Sequence, residues 1–78
     1  MIAYLEGHVM GAGEDHLVIR LGGLGLRIFV PLALRTQAGP GAHVALHTHL
    51  VVREDLLALY GFETAAERDL FVLLLGAN

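Results

Sequence analysis

Thr48-His49-Leu50-Val51-Val52-Arg53-Glu54-Asp55-Leu56-Leu57-Ala58-Leu59-Tyr60-Gly61-Phe62 is the stretch on which the fold turns. Three consecutive charges, Arg53, Glu54 and Asp55, interrupt two apolar runs. Val44, Leu46, Leu50, Val51 and Val52 before them, and Leu57, Leu59, Tyr60 and Phe62 after them, suit a pleated and half-buried surface. A short polar break between two such runs predicts a β-hairpin with the charges at its tip. Adjacent carboxylates are rarely buried, because an unpaired charge is costly to desolvate. The tip is therefore expected to project into water.

Working outward, His43 to Val52 reads as one long strand and the segment to Phe62 as its return. Downstream, Thr64-Ala65-Ala66-Glu67 has the spacing of a capping box, in which the Thr hydroxyl and the Glu carboxylate each satisfy a free backbone N–H. A helix should run from there to about Leu75, with Gly76 as its C-terminal cap. Leu70, Phe71 and Leu74 make one apolar face, and Val72, Leu73 and Leu75 widen it. A helix apolar on nearly all sides is expected to pack on more than its own sheet.

Upstream, Met1 to Met10 reads as a strand with neither face cleanly apolar, and Gly11-Ala12-Gly13-Glu14-Asp15 as a turn. His16 to Leu21 alternates, with Leu17, Ile19 and Leu21 on one side, as a half-buried strand does. Gly22-Gly23-Leu24-Gly25 is the next turn, and Leu26 to Val30 the next strand. Gly23 and Gly25 have the first spacing of a dinucleotide fingerprint, but position 28 is Ile and a strand follows where a helix is required. Pro31 ends that strand, and Leu32 to Ala38 reads as a short helical turn with Leu32 and Leu34 facing inward. Gly39-Pro40-Gly41 breaks it. The order of elements predicts a mainly β fold. It is a small five-stranded Greek-key barrel of the oligonucleotide/oligosaccharide-binding (OB) type, with one short helical turn and a C-terminal helix. A partly open sandwich is the alternative, and residues 1–78 read as a single domain.

Composition narrows the function. A chain of 78 residues buries roughly 60–65% of its unfolded surface, so the core is thin. At 55% hydrophobic, the chain has either a leucine-rich core or a surface meant for a partner. It has no cysteine, hence no disulfide or thiolate metal site. No apolar run approaches the roughly 18 residues of a membrane span, and no basic region precedes an apolar core at the N-terminus. No membrane partner is expected, and the cytoplasm is the expected compartment. The net charge is −3, with five Arg and no Lys. Phosphate contacts dominate nucleic-acid affinity, so this balance disfavours independent DNA binding.

Two groups of side chains bear on chemistry. His47 and His49 share one strand face, and His43 has the same parity, which permits a metal site or merely a polar face. Glu54 and Asp55 diverge on an exposed turn that does not exclude water, so they are not a general acid–base pair. No Ser–His–Asp or Cys–His set is visible. The expectation is no catalysis, no cofactor and no bound metal. Two fixed negative charges on a rigid projection would instead repel phosphates and steer nucleic-acid strands apart.

These residues carry a likeness. Thr48-His49-Leu50-Val51-Val52-Arg53-Glu54-Asp55 followed by Leu59-Tyr60-Gly61-Phe62 resembles the N-terminal domain of the RuvA family. The likeness extends to Met1-Ile2, to Gly22-Gly23-Leu24-Gly25 with Pro31, and to Glu67-Arg68-Asp69-Leu70-Phe71. It implies an OB barrel at the centre of a homotetramer, or of two such tetramers paired into an octamer, around an open four-way DNA junction in recombination and repair. It implies that Glu54 and Asp55 form an acidic pin at the junction centre, with Arg53 as a flanking DNA contact. It further implies a RuvB partner, a motor that hydrolyses ATP and is reached through a domain absent here. Family members continue into helix-hairpin-helix motifs that grip phosphates, and these 78 residues are expected to hold the first domain only. Leu26 stands where the family usually carries Tyr, a change expected to affect packing and not the fold. Two other readings remain: an interaction barrel without nucleic-acid contact, and a metal-binding domain using His43, His47 and His49.

Overall fold

The inward side chains of β2 (His16–Leu21) set the inside of the fold: Leu17 and Ile19 have no exposed surface. They meet Ile28 of β3 (Leu24–Phe29), Leu46 of β4 (His43–Arg53), and Leu5 and Val9 of β1 (Tyr4–Ala12). Leu59 of β5 (Leu56–Phe62) joins the same core. These contacts are seen in a computed structural model that describes residues 2–76. The five strands close into a barrel in the order β1-β2-β3-β5-β4. All neighbours are antiparallel except β3 and β5, which run parallel through Ile28↔Leu59 and Phe29↔Tyr60. Parallel neighbours need a long crossover, here supplied by α1 (Leu32–Gln37) and the whole of β4. Closure gives every strand of the barrel two paired neighbours. The OB barrel, short helix and C-terminal helix are those the pattern predicts, and the open sandwich is excluded.

Several local readings are corrected. β1 does have an inner face, of Leu5, Gly7 and Val9. The alternation is hidden because its middle member is glycine, where a Cβ would lie 2.5 Å from the Arg20 carbonyl oxygen and 2.6 Å from Ile19 Cγ2. β1 also runs on to Ala12, helped by a bulge that shifts its register between Val9 and Gly11. The next turn is only Gly22-Gly23. Leu24 and Gly25 already pair with Leu21 and Arg20. Gly22 has φ of 60°, and a positive φ at the first turn residue is what a tight II′ connection requires. Leu34 packs on the core, whereas Leu32 is 62% exposed, because a helix of six residues has only one inward turn to offer.

Thr48 is the one buried polar side chain among the described residues. Its hydroxyl donates to the Ile2 carbonyl at 2.8 Å and its backbone N–H to the Ala3 carbonyl at 2.9 Å, which ties the N-terminal segment to β4. The final helix, α2 (Ala65–Gly76), opens with the expected capping box. The Glu67 N–H donates to Thr64 Oγ1 at 3.2 Å, and the Thr64 N–H to Glu67 Oε1 at 3.1 Å. α2 is not set deeply into the barrel end, and no residue of it is fully buried. Phe71 anchors it against Tyr60 and Phe62, with ring centroids 4.8 and 5.0 Å away. Arg68 Nη1 donates to the Ala3 carbonyl at 3.0 Å. Leu70, Leu73 and Leu74 remain largely exposed, so the face drawn through Leu70, Phe71 and Leu74 is split. Gly76 is the last helical residue, and the cap expected there depends on positions outside the described residues, as does Met1. No helix among the described residues is long and apolar enough to cross a membrane.

The interior glycines yield a stability test. A Cβ on Gly61 would sit 2.9 Å from Ile28 Cγ2 and 3.1 Å from Leu46 Cδ1. Gly61→Ala is expected to cost about 1–3 kcal/mol, the usual range for overpacking. Gly7→Ala should cost more, because the first atom it meets is backbone. Gly11→Ala, with nothing within 4 Å, should leave the urea midpoint almost unchanged. Equilibrium unfolding of the three variants gives that order or refutes it.

Candidate nucleic-acid interface

The β4–β5 hairpin positions the charged tip. The ladder runs from His47↔Phe62 to Arg53↔Leu56 and leaves Glu54-Asp55 as a two-residue turn. Its last rungs stand clear of the barrel, with Val52 68% and Leu57 72% exposed. Arg53, Glu54 and Asp55 are all exposed, and none forms an ion pair among the described residues. The tip therefore presents two exposed carboxylates, neither ion-paired among the described residues, next to the last rung of the hairpin. It is an electrostatic feature without a desolvated acid or base.

The parallel register of β3 and β5 brings a second turn to the same end. Both strands start there, so Gly22-Gly23 and Glu54-Asp55 both lie at the tip end of the barrel. Two residues before the glycine turn stands Arg20. It pairs with His8 on β1 and with Gly25 on β3, and Arg27, opposite Val18, is its diagonal neighbour. Arg20 Nε donates to the Gly22 carbonyl at 3.0 Å. An open cleft of about 390 Å³ borders it on the His8 side, and one of about 270 Å³ on the Met10 and Gly25 side. Overall charge gave no sign of such a local basic wall. Arg20 and Arg27 lie diagonally across the hairpin that the Gly22-Gly23 turn closes, and the β1–β2 register adds His8 from farther away in sequence.

The histidines do not converge. His47 packs against Tyr4, with rings 5.2 Å apart, and His49 lies 6.5 Å from Phe71. His43 Nε2 is 3.1 Å from Glu6 Oε1, and its ring is 5.5 Å from that of His8. Among the described residues no three His, Asp or Glu side chains form a metal-holding group. A third concavity, about 370 Å³ beside α2, is lined by Phe29, Tyr60, Phe62 and Phe71 together with Asp15. It holds no nucleophile paired with a base.

Two titrations are shifted. The Glu6 carboxylate accepting the Tyr4 hydroxyl at 2.8 Å holds that phenol above its ordinary range. His16 Nδ1, 2.9 Å from Asp15 Oδ1, holds the Asp15 carboxyl below its ordinary value. A depressed carboxyl contributes stability above its unfolded pKa and loses it as pH falls through the folded pKa. His16→Ala should therefore move the Asp15 midpoint upward in a carboxyl-carbon NMR titration. Glu54→Gln and Asp55→Asn, on the free tip, should change stability by less than about 0.5 kcal/mol in thermal unfolding.

The chain as a whole is similar to known proteins. The family model described as the RuvA N terminal domain matches residues 1–61. Proteins named Holliday junction branch migration complex subunit RuvA are similar along the chain. The one from Symbiobacterium thermophilum is 53% identical over 76 residues, 96% of this chain and 37% of its own length. Those from Herpetosiphon aurantiacus and Chloroflexus aggregans are 49% and 43% identical over the full chain and 40% of their own length. The chain thus spans about two-fifths of the relatives it matches. A closed OB barrel, a protruding Arg-Glu-Asp tip and a family match over residues 1–61 lead to one assignment: the chain belongs to the RuvA N-terminal domain family.

Proposed function

We propose that this chain is the tetramerisation and acidic-pin domain of a Holliday-junction-binding protein that supports RuvB-driven branch migration in recombination and DNA repair. The observation that carries the reading is the exposed Glu54-Asp55 turn on a hairpin that stands off the barrel. Four copies around a junction would gather their carboxylates at its centre. Like charges repel, and more strongly where protein walls reduce screening by water. Phosphates at the crossover would be pushed outward, which favours parted strands and penalises continuous duplex. Arg53 would meet a flanking phosphate.

The domain itself would be non-catalytic, with ATP hydrolysis in the RuvB motor and most of the phosphate grip in helix-hairpin-helix motifs of the complete protein. The exposed leucines of α2 suit burial against another part of the assembly. The same leucines favour a second reading, an interaction barrel that never touches nucleic acid.

Gel-shift titration at low and moderate salt separates the two. It would compare a synthetic four-way junction with linear duplex, for this chain and for one continued through the helix-hairpin-helix region. The longer chain is expected to prefer the junction. Charge reversal, E54K with D55K, is expected to reduce that preference severalfold. An unchanged preference would remove the pin role, and binding to neither DNA would leave the interaction barrel as the reading.

A further inference from the structure

The net charge of −3 is not spread evenly over the barrel. β2 starts, and β5 ends, at the end away from the tip. Glu14 and Asp15 precede β2, and Glu63, Glu67 and Asp69 follow β5, so five of the eight carboxylates sit at that far end. The two arginines there are already engaged: Arg35 Nη1 with the Gly13 carbonyl at 3.4 Å, and Arg68 with Ala3 and Asp69. The other three arginines, Arg20, Arg27 and Arg53, belong to the β2–β3 wall and the tip, and none is ion-paired among the described residues. Glu6, the carboxylate nearest along β1, is turned to other partners. Its Oε2 takes the Tyr4 hydroxyl, and its Oε1 faces His43 on β4. The wall is thus locally cationic although the chain is acidic.

Its geometry suits a phosphodiester backbone. The bond from Arg20 Nε to the Gly22 carbonyl fixes the guanidinium plane and leaves both terminal nitrogens free to donate. Gly25 opposite Arg20 has no side chain, and a Cβ at Gly22 or Gly23 would meet nothing, so the approach is open. Diagonal cross-strand neighbours such as Arg20 and Arg27 lie about 7–8 Å apart. That is of the same order as the spacing of neighbouring phosphates on one strand. We propose that the outer wall of β2 and β3 is a second nucleic-acid contact. In it Arg20 and Arg27, with His8 beside Arg20, hold backbone phosphates of a DNA strand that has been parted at the tip. The inference rests on the junction reading above and adds to it a phosphate track on the barrel itself.

The test uses the chain continued through the helix-hairpin-helix region and labelled with ¹⁵N, with a synthetic four-way junction and a linear duplex as probes, at several salt concentrations. Junction DNA is expected to shift the amides of Gly22, Gly23 and Gly25 and the Arg20 Nε resonance. R20Q with R27Q should abolish those shifts. The slope of log affinity against log salt should also fall by about 2, close to one for each phosphate no longer neutralised. R20K with R27K, which keeps the charge, should retain most of the slope. Unchanged melting temperatures would show that all variants are folded. If the double Gln variant binds with an unchanged slope, or if no amide near the glycine turn responds to any DNA, the wall is not a contact. If the wall responds equally to junction and duplex, the phosphate track stands and the junction-specific role of the tip fails.

Discussion

The pairing of β3 with β5 is the constraint on which the rest depends. Only two residue pairs make it, Ile28↔Leu59 and Phe29↔Tyr60, yet it turns a five-stranded ribbon into a closed barrel. It requires close approach of the two strands, and Gly61 permits it by leaving room for Ile28 and Leu46. Because the pairing is parallel, it also decides which turns share an end. The glycine turn joins the charged tip, while the β1–β2 turn joins the start of α2. The electrostatic polarity of the domain follows from this one register.

On the proposed reading, the same closure would let an acidic domain serve DNA. Charge is sorted by barrel end, and net charge averages that sorting away. The far end carries most carboxylates together with two arginines held by backbone carbonyls. The tip end carries free guanidinium groups behind two projecting carboxylates. A strand repelled at the tip would find compensating charge a short distance away on the wall. Repulsion and attraction placed in this order would define a direction for such a strand, which neither would do by itself.

α2 is attached differently from the strands. Its cap is complete and its Phe71 is stacked into the aromatic group of Tyr60 and Phe62, so its start is well determined. Beyond that anchor it offers leucines to its surroundings, Leu73 at 68% exposure among them. The family match ends at residue 61, before this helix begins, and the relatives are about two and a half times as long. Held to the barrel chiefly by Phe71 and by the Arg68 bond to the Ala3 carbonyl, the helix leaves its outer leucines in position for burial against a further surface.

Much of the domain was determined by local sequence. The hairpin, its exposed tip, the alternation in β2 and the capping box were legible because each rests on residues within a few positions of one another. The resemblance carried by Thr48 to Asp55, Leu59 to Phe62 and the glycine turn also lay in the sequence, and with it the family. The inner face of β1 was not legible, since Gly7 lacks the side chain that would mark it and is required by a backbone approaching from β2. The exposure of Leu32 and the outward leucines of α2 depended on what the barrel leaves room for. Least visible was the basic wall. Arg20 and Arg27 become diagonal neighbours because the turn is Gly22-Gly23 and not the whole of Gly22 to Gly25, and His8 joins them only through the β1–β2 register across the bulge in β1.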